Sequence, residues 1–499
     1  MRRCAWLLAL LLASCLCDDT GGSAAKAFDT AKANPGALRA FLYRMPKGGD
    51  LHTHLSGAAY AEATIEAGAK AGRCFDPKES KIATCDGSSK PLSDALKHPD
   101  VMRELVNAWS MRGFVPTNDQ NGHDHFFAAF ALFGGAAPPG DLAADVVGRA
   151  GAQNERYIEL MYTFQGKQVA DLVDTVAKDH PWTGDFAAYT ALLRDDLTKL
   201  AAAAKEEAAA NEAAMRTALG CDKKADTPGC NVTVRWIHQV SRNSAPPRVF
   251  AATLFGAIAQ QQAPHIVGLN FVAPEDYTVA LTDYTLHMKM IGYVHDLYPA
   301  ANVTLHAGEL TLGVVEPKDL RFHIRQAVEI AHAKRIGHGV DVMYEEDPDG
   351  LLALMAKNKI AVEINLSSND QILNVSGKAH PFPIYRERGV PVLLSTDDEG
   401  IERIDRTHEL QRAVETYDLS YTDIVSMERN TLEYAFLPGA SLWTNTVKWQ
   451  RVAACGNASA SNSPTPDCNK YLAANEKARL QWSLEADLAR FESAATTKH

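Results

Sequence analysis

Two histidines separated by one residue, His52 and His54, close a segment whose pattern predicts a β-strand. Side chains at positions i and i+2 of a strand point the same way, so both imidazoles can bind one metal ion. The pair alone is weak evidence, because 17 histidines in 499 residues give roughly 0.6 such pairs by chance. A second pair, His123 and His125, opens a predicted helix, where positions i and i+2 do not share a face. We interpret that second pair as surface or pocket lining.

Polar side chains also follow three other predicted apolar strands. His306 and Glu309 follow the first of these strands, and His338 ends the second. Asp397 and Asp398 follow the third. The carboxyl ends of all strands of an α/β barrel meet at one mouth, where catalytic groups gather. Three histidines and one carboxylate are a donor set that suits catalytic zinc with an open position for water.

Short apolar runs alternate with helical segments over most of the chain, which predicts parallel βαβ units. Eight such units favour an α/β fold of the (β/α)8 TIM-barrel type, and a doubly wound sheet is the structural alternative. The predicted strands are 49–54, 157–162, 232–239, 265–271, 303–306, 336–338, 360–365 and 390–395. The predicted helices include 283–297, 319–333, 404–417 and an Ala-rich, solvated helix at 197–215.

Two additions to a minimal barrel are expected. About 100 residues separate the first two predicted strands, which predicts a helical insertion at about residues 59–150. A C-terminal helical extension is predicted at 441–499, and its final amphipathic helix at 473–491. The barrel itself then occupies residues 41–440, preceded by an N-terminal segment at 16–40 and a signal peptide at 1–15.

The composition is that of a globular chain, with 46% hydrophobic and 8% aromatic residues, and it excludes disorder of the whole chain. The formal net charge of −11 argues against general nucleic-acid binding, which needs a positive surface. No internal stretch reaches the roughly 18–20 apolar residues of a membrane span.

The first residues predict export. Two arginines precede the apolar run 6–12, and small residues and Cys15 follow it, as in a bacterial lipobox. We therefore expect a signal peptide, a lipid anchor at Cys15 and a location in the bacterial periplasm or cell envelope. The alternative is an ordinary signal peptide cut near residues 17–22 and a soluble secreted product.

Cysteine spacing is consistent with export. Six cysteines beyond the signal region form three sequential pairs in loop-rich stretches, which indicates local disulfides. The pairing of sequence neighbours rests on proximity, because six cysteines can be joined in many ways. The expected bridges are Cys74–Cys85, Cys221–Cys230 and Cys455–Cys468.

The segment 45–58, Met-Pro-Lys-Gly-Gly-Asp-Leu-His-Thr-His-Leu-Ser-Gly-Ala, resembles the N-terminal motif of the adenosine/AMP deaminase family. His-Ala-Gly-Glu at 306–309, Arg-Ile-Gly-His-Gly at 335–339 and Ser-Thr-Asp-Asp at 395–398 are similar to its other signatures, in the same order. The resemblance covers roughly residues 40–440. The Pro-Lys-Gly-Gly stretch, the signal peptide and the long insertion are closest in style to secreted adenosine deaminases.

The resemblance implies one zinc ion (Zn2+) per chain and hydrolytic deamination of adenosine or deoxyadenosine to inosine or deoxyinosine plus ammonia. Glu309 would protonate the purine ring, His338 would orient and electrostatically assist the attacking water, and Asp398 would bond the purine N7. The implied zinc ligands are His52, His54, His306 and Asp397.

Three positions depart from the family pattern and bear on substrate choice. Ser56 replaces an Asp near the nucleoside sugar, Ala273 stands where a Gly is frequent, and Glu399 stands where a Pro is common. The backbone N–H of Ala273 remains available to the purine. The helix that carries Phe126, Phe127, Phe130 and Phe133 is expected to cover the purine, with plain core packing as the alternative for each phenylalanine. The predicted substrate-binding residues are His54, Ser56, Ala273, Asp398, Phe126 and Phe130.

Other functions remain open at this point. The same zinc barrel could act on adenine, AMP or an N6-substituted adenosine, or hydrolyse a cyclic amide or ester. Binuclear hydrolases of that last kind usually add a bridging lysine, and none ends the strands 232–239 or 265–271. A nucleoside-binding surface lipoprotein is the non-enzymatic alternative, but it has no need of an acid beside a metal. The cysteine-ligated deaminase type is excluded, because its Pro-Cys-x-x-Cys half is absent.

Overall fold

The computed structural model describes residues 20–224, 226–456, 460 and 463–496. The predicted signal peptide and Cys15 lie outside the described residues. Within the described part of the chain, no helix combines the length and the apolar character that a membrane crossing requires.

Eight parallel strands among the described residues form the centre of the molecule. They are β1 (Lys47–His54), β2 (Glu155–Tyr162), β3 (Thr233–Ser241), β4 (Ile266–Val272), β5 (Thr304–Ala307), β6 (Arg335–His338), β7 (Ala361–Ile364) and β8 (Val392–Leu394). Strands β1 to β4 pair in sequence order, and so do β5 to β8. No end of these strands differs from its predicted position by more than two residues.

Two parallel bridges join the two sets of strands into a closed ring. Thr53 of β1 pairs with Asp397 just past β8, and Leu269 of β4 pairs with Val303 just before β5. Backbone hydrogen bonds support the first bridge, because Asp397 N–H donates to His52 O at 2.8 Å. The predicted TIM barrel is therefore confirmed, and the doubly wound alternative is wrong because an open sheet has two edges.

Helices surround the ring, and apolar side chains fill the space between them and the strands. The helices of this outer layer are Gly166–Asp179, Phe186–Leu219, Pro246–Gln262, Thr278–Leu297, His323–Glu329, Pro348–Asn358, Phe382–Glu387, Arg406–Tyr417 and Tyr421–Tyr434. Short helices at the barrel mouth are Leu55–Ala58, Leu366–Leu373 and Glu399–Glu402. The chain enters through Thr20–Lys32 and Pro35–Arg44.

Four predicted helices differ from those observed. The helix predicted at 283–297 begins earlier, at Thr278. The segment 319–333 contains a 3-10 turn at Pro317–Leu320 and a short helix at His323–Glu329. Glu345 accepts hydrogen bonds from Ile324 N–H and Arg325 N–H, which starts that helix after the turn.

The helix predicted at 197–215 spans Phe186–Leu219, with Asp185 capping its first turn and Gly220 ending it at φ 73°. It is not solvated throughout. Small side chains on one face are buried against the neighbouring helices, including Ala201, Ala204 and Ala208. Alanines at this spacing form a narrow buried face that allows close helix packing. The Ala-rich composition with Lys and Glu therefore predicted a solvated helix, although one face belongs to the core.

The predicted insertion and C-terminal extension are both present. The insertion holds the helices Ala61–Lys70, Pro99–Ala108, Gly122–Phe133 and Pro139–Ala152, and a small antiparallel sheet of Cys74–Asp76, Lys81–Ala83 and Lys90–Pro91. Its apolar side chains, among them Trp109 and Phe126, form a cluster together with Ile372 and Ile401 from the barrel mouth. The extension ends in two helices, Pro466–Ala474 and Glu476–Thr496, because Asn475 adopts an extended conformation between them.

All three predicted disulfides are formed. Their Cα–Cα distances are 5.2 Å for Cys74–Cys85, 5.6 Å for Cys221–Cys230 and 4.7 Å for Cys455–Cys468. Each bridge closes a short loop outside the barrel strands.

Candidate active site

Three imidazoles and one carboxylate converge at the carboxyl end of the barrel. The Nε2 atom of His306 lies 3.0 Å from Nε2 of His52 and 3.1 Å from Nε2 of His54. The Oδ1 atom of Asp397 lies 3.6 Å and 3.3 Å from Nε2 of His52 and His54. Strands β1, β5 and β8 bring these side chains together, as the pattern of polar residues at strand ends predicted.

The opposite nitrogen of each ring fixes its tautomer. Nδ1 of His52 lies 2.6 Å from Glu363 Oε2, Nδ1 of His54 lies 2.8 Å from Gln239 Oε1, and Nδ1 of His306 lies 3.0 Å from Asn270 Oδ1. Oxygen atoms of this kind only accept, so each Nδ1 carries the hydrogen and each Nε2 carries a lone pair. Neutral imidazoles held in this way are typical metal ligands.

The four converging atoms fit a zinc ion. Three lone pairs and a carboxylate that face one another repel unless a cation lies between them. Zn–N and Zn–O distances of about 2.0–2.2 Å give a tetrahedral ligand-to-ligand edge of about 3.3–3.6 Å, close to the observed spacing. The Oγ atom of Ser368 donates to Asp397 Oδ2 at 2.7 Å, which orients the carboxylate.

Proximity alone would also place His338 among the ligands, because it clusters with His52, His306 and Asp397. Its hydrogen bonds argue otherwise. Nδ1 of His338 lies 2.9 Å from the amide nitrogen of Asn369, and Nε2 lies 3.7 Å from Asp397 Oδ2. His338 therefore lies beside the cluster, where it can face a water molecule.

Glycines make room for this packing. A Cβ atom on Gly337 would lie 2.5 Å from the His52 ring, so only glycine allows β6 to pass so close to β1. His338 itself has φ 67°, in the left-handed region that residues other than glycine rarely adopt. Such backbone strain is common at functional sites.

Glu309 lies at the edge of the cluster, with Oε1 3.5 Å from His338 Nδ1. Burial raises the pKa of Glu309 well above its ordinary value, and the carboxylates of Asp397 and Glu275 raise it further. Glu275 also accepts hydrogen bonds from the backbone N–H of Gly308 (3.2 Å) and Glu309 (2.9 Å). Glu309 is thus a carboxylic acid in a fixed position, able to give a proton to a bound molecule.

A buried network of hydrogen bonds holds the cluster in place, and it was not predicted from the sequence. Glu363 of β7 accepts from His52 with one oxygen and from Arg335 and Thr304 with the other. Arg335 also contacts Glu159, with Nη2 2.5 Å from Oε2. A glutamate inside the apolar run of β7 was a signal in the sequence, because a charged group in the middle of a barrel strand needs partners.

A cavity of about 310 Å³ opens above the cluster. Most of the predicted substrate-binding and metal-binding side chains line it, whereas His52 and His338 lie beneath. Phe127 also lines the cavity, whereas Phe133 of the same helix is not among the lining residues. Gln239 and Tyr277 line the cavity and were not predicted. The lining residues are His54, Ser56, Phe126, Phe127, Phe130, Gln239, Val272, Ala273, Pro274, Tyr277, His306, Glu309, Ile372, Asp397 and Asp398.

One buried polar atom in the cavity lacks a partner within the described structure. The Oδ1 atom of Asp398 is buried and has no hydrogen-bond partner among the described residues. A Cβ atom on Gly57 would lie 1.7 Å from that oxygen, so the position of Asp398 depends on this glycine. Ala273 has φ 84°, which turns the chain at the end of β4.

The second histidine pair does not approach the cluster. His123 lies between Asp124 and Asp276, at 3.0 Å and 3.1 Å. His125 stacks on Phe114 with ring centroids 4.3 Å apart. Both belong to the helix that carries Phe126, but neither lines the cavity. His123 is buried and His125 is half-buried, so the interpretation of the pair as surface or pocket lining is wrong.

Sequence comparison gives a family match over half of the chain. A model of the family described as "Adenosine deaminase" matches residues 189–442. The adenosine deaminase of Aliivibrio fischeri (strain ATCC 700601 / ES114) is 37% identical over 136 residues, which cover 27% of this chain and 38% of that protein. That of Escherichia coli (strain SMS-3-5 / SECEC) is 34% identical over 137 residues, with the same coverage. The chain thus spans well under half the length of these curated relatives.

Solved structures share the fold. An Arabidopsis N6-mAMP deaminase superposes with a TM-score of 0.52 and 17% identity, covering 80% of this chain and 95% of that chain. An amidohydrolase from Burkholderia ambifaria with bound Zn gives a TM-score of 0.50 and 16% identity, covering 92% of this chain and 95% of that chain.

Proposed function

Because this chain belongs to the adenosine deaminase family, we propose that it hydrolytically deaminates adenosine or deoxyadenosine to inosine or deoxyinosine and ammonia. The observation that carries the proposal is the juxtaposition of a metal-type cluster with a buried carboxylic acid. A protein that only binds nucleosides needs neither. The cavity volume of about 310 Å³ is at the small end of the roughly 300–1,000 Å³ typical of ligand pockets, which suits one nucleoside.

We propose that His52, His54, His306 and Asp397 hold one zinc ion. When bound, zinc supplies Lewis acidity that makes a water molecule nucleophilic at neutral pH. The convergent Nε2 lone pairs support this assignment, since they leave no hydrogen on the side that faces the ion. The zinc-bound amidohydrolase with the same fold supports the choice of metal.

Glu309 is proposed as the general acid. Water adds through its oxygen to C6 of the purine while the Glu309 proton moves to ring N1, which removes the electron richness that resists the attack. Of the two water protons, one leaves with the amino group as ammonia and the other restores the acid form of Glu309, so adenosine plus water gives inosine plus ammonia. Ammonia then leaves from C6, and the C6 oxygen of inosine comes from water. The raised pKa of Glu309 supports this role, because the group must be protonated near neutral pH.

Other side chains position the purine. Asp398, whose Oδ1 is without a partner in the described structure, is proposed to donate to N7 as a carboxylic acid, because burial raises its pKa well above the ordinary value. The N–H of Ala273 is proposed to donate to the opposite ring edge. Phe126, Phe127 and Phe130, which line the cavity, are proposed to cover the ring. Phe126 also belongs to the apolar cluster of the insertion. His338 is proposed to orient the attacking water.

The charge of the cavity favours a neutral substrate. Its described lining contains the carboxyl groups of Glu309, Asp397 and Asp398 and neither lysine nor arginine. A nucleotide phosphate normally requires Arg or Lys donors, so we propose a nucleoside rather than AMP. This separates the chain from the N6-mAMP deaminase that shares its fold.

Export of the protein remains our proposal. The three disulfides support an oxidising compartment. The lipid anchor at Cys15 rests on the sequence alone.

The test is release of the C6 amine by purified, zinc-loaded protein, measured as ammonia for unmodified adenine compounds and as methylamine for N6-methyladenosine. Adenosine, deoxyadenosine, adenine, AMP and N6-methyladenosine are compared at equal concentrations, with Glu309→Gln as the control for contaminating activity. The proposal predicts turnover of the two unmodified nucleosides and at least a tenfold lower kcat/KM for AMP. A preference for AMP would overturn the substrate assignment, and binding of adenosine without ammonia release would favour the nucleoside-binding alternative.

A further inference from the structure

A buried chain of hydrogen bonds leads from the backbone of Phe382 to His338. Phe382 N–H donates to Nδ1 of His380 at 3.1 Å. Nε2 of His380 lies 3.0 Å from Oδ1 of Asn369, and the amide nitrogen of Asn369 lies 2.9 Å from Nδ1 of His338. All three side chains are almost completely buried, so water does not compete for these bonds.

The first donor sets the direction of every later bond. A backbone N–H can only donate, so Nδ1 of His380 must accept, and the single hydrogen of a neutral His380 ring lies on Nε2. That hydrogen points at Asn369, whose oxygen must therefore face His380. The amide nitrogen of Asn369 then faces His338 and donates to it.

His338 Nδ1 is consequently an acceptor, and the ring hydrogen lies on Nε2. Nε2 is the nitrogen that faces the metal-type cluster, 3.7 Å from Asp397 Oδ2. Two other groups lie near the ring, but neither reverses the assignment. Asn365 Nδ2 is 3.5 Å from both ring nitrogens, and Glu309 Oε1 is 3.5 Å from Nδ1. Asn369 Nδ2 is nearer than either.

We propose that Asn369 and His380 are positioning residues that hold His338 as its Nε2–H tautomer, so that its inner nitrogen donates a hydrogen bond to the attacking water. The catalytic part of this proposal rests on the proposed deaminase function; the tautomer does not. While the relay is intact, Nε2 has no lone pair and His338 cannot take a proton from that water. His338 therefore orients the water oxygen and is not its base.

The relay has a fixed polarity at neutral pH. Burial, and to a lesser extent Arg412, lowers the pKa of His380 to about 4, so this ring stays neutral. If His380 were protonated, its Nδ1 would carry a hydrogen and could no longer accept the hydrogen bond from Phe382 N–H. The device resembles other histidine sites in which a partner on one nitrogen selects the function of the other.

The direct test is the tautomer of His338 in zinc-loaded protein labelled with 15N-histidine. The His338 resonances are assigned by comparison with His338→Gln. The proposal predicts an unprotonated Nδ1 and a protonated Nε2. A protonated Nδ1 with a bare Nε2 would overturn it. This readout needs no substrate, so it stands even if no purine is turned over.

Asn369→Asp tests the consequence. A carboxylate can only accept, so His338 must turn its hydrogen to Nδ1 and expose a lone pair on Nε2. We expect kcat to fall at least about tenfold with KM within about threefold and zinc content unchanged, since removal of one positioned hydrogen-bond donor from an active site typically costs about 10²–10³-fold in kcat. Asn374→Asp is the matched control, because it adds the same charge at an exposed position at the end of the same helix. Unchanged kcat and an unchanged 15N pattern in Asn369→Asp would contradict the proposal.

His380 variants provide a rescue test. His380→Gln keeps an N–H donor toward Asn369, whereas His380→Phe removes it and leaves a ring of similar size. We expect kcat to be largely retained in the first variant and reduced in the second, with equal zinc content in both. Equal kcat in the two variants would mean that His380 only fills space.

Discussion

Glu363→Gln probes how the barrel holds its metal-type cluster. The carboxylate of Glu363 receives three hydrogen bonds, from Nδ1–H of His52 (2.6 Å), from Oγ–H of Thr304 (2.9 Å) and from Nε–H of Arg335. Burial opposes ionisation, but Arg335 and His52 hold the pKa of Glu363 at about 2, so the group is a carboxylate at neutral pH. A glutamine presents one oxygen and an NH2 group. At least one of the three donors would then face another donor.

The expected losses in zinc affinity and in unfolding free energy depend on two partners of Glu363, His52 and Arg335. Loss of a supporting hydrogen bond to a metal-bound histidine typically weakens metal affinity 10–100-fold, or about 1.4–2.8 kcal/mol. Arg335 keeps Glu159 as a partner, so the loss in unfolding free energy should be smaller than the roughly 3–5 kcal/mol of a broken isolated buried pair.

The assay is competition for zinc with a chelator of known affinity, together with thermal unfolding at saturating zinc. Glu159→Gln is the matched control, because it also removes a carboxylate from Arg335 but does not contact His52. We expect both variants to lower the unfolding temperature and only Glu363→Gln to lower zinc affinity. Equal zinc affinity in folded Glu363→Gln and wild-type protein would refute this account of the support network.

Three further outcomes are expected. Glu309→Gln should keep zinc, measured by metal analysis, and lose at least about 10²-fold in kcat, whereas His306→Ala should lose zinc and activity together; near-normal turnover in Glu309→Gln would contradict the acid role. Gly57→Ala should displace Asp398 and raise KM for adenosine without loss of zinc, since its new Cβ would overlap Asp398 Oδ1; an unchanged KM would argue against purine binding by Asp398. Replacing both cysteines of the Cys455–Cys468 bridge by alanine should lower the unfolding free energy by about 2–3 kcal/mol, because the bridge closes a loop with a sequence separation of 13 residues. Denaturant titration measures this loss, and a loss below about 0.5 kcal/mol would show that the bridge adds little stability.

Much of the fold could be predicted from the sequence, because the barrel repeats one local pattern. Each strand is a short apolar run that ends in polar or glycine residues, so the strand positions and the mouth of the barrel followed from sequence. The prediction of one continuous helix at 319–333 was wrong for a reason that lies outside the segment. Its start depends on Glu345, which lies beyond the predicted helix and is brought to it only by folding.

The candidate site divides in the same way. His52, His54 and His306 lie at strand ends, so their positions in the strands predicted that their side chains would converge. Asn369 and His380 lie on a helix and a loop after β7, and nothing in their local sequence shows that they contact His338. Hydrogen-bond direction depends on three-dimensional neighbours, so the relay became visible only in the folded chain.

We propose that this barrel replaces the amino group of a neutral purine nucleoside with an oxygen from water. The most direct measurement is mass spectrometry of adenosine incubated with the zinc-loaded protein in 18O-labelled water. The proposed function predicts inosine that carries one 18O atom at C6 and one ammonia for each inosine formed. Unchanged adenosine, or free adenine produced by cleavage from the sugar, would contradict it.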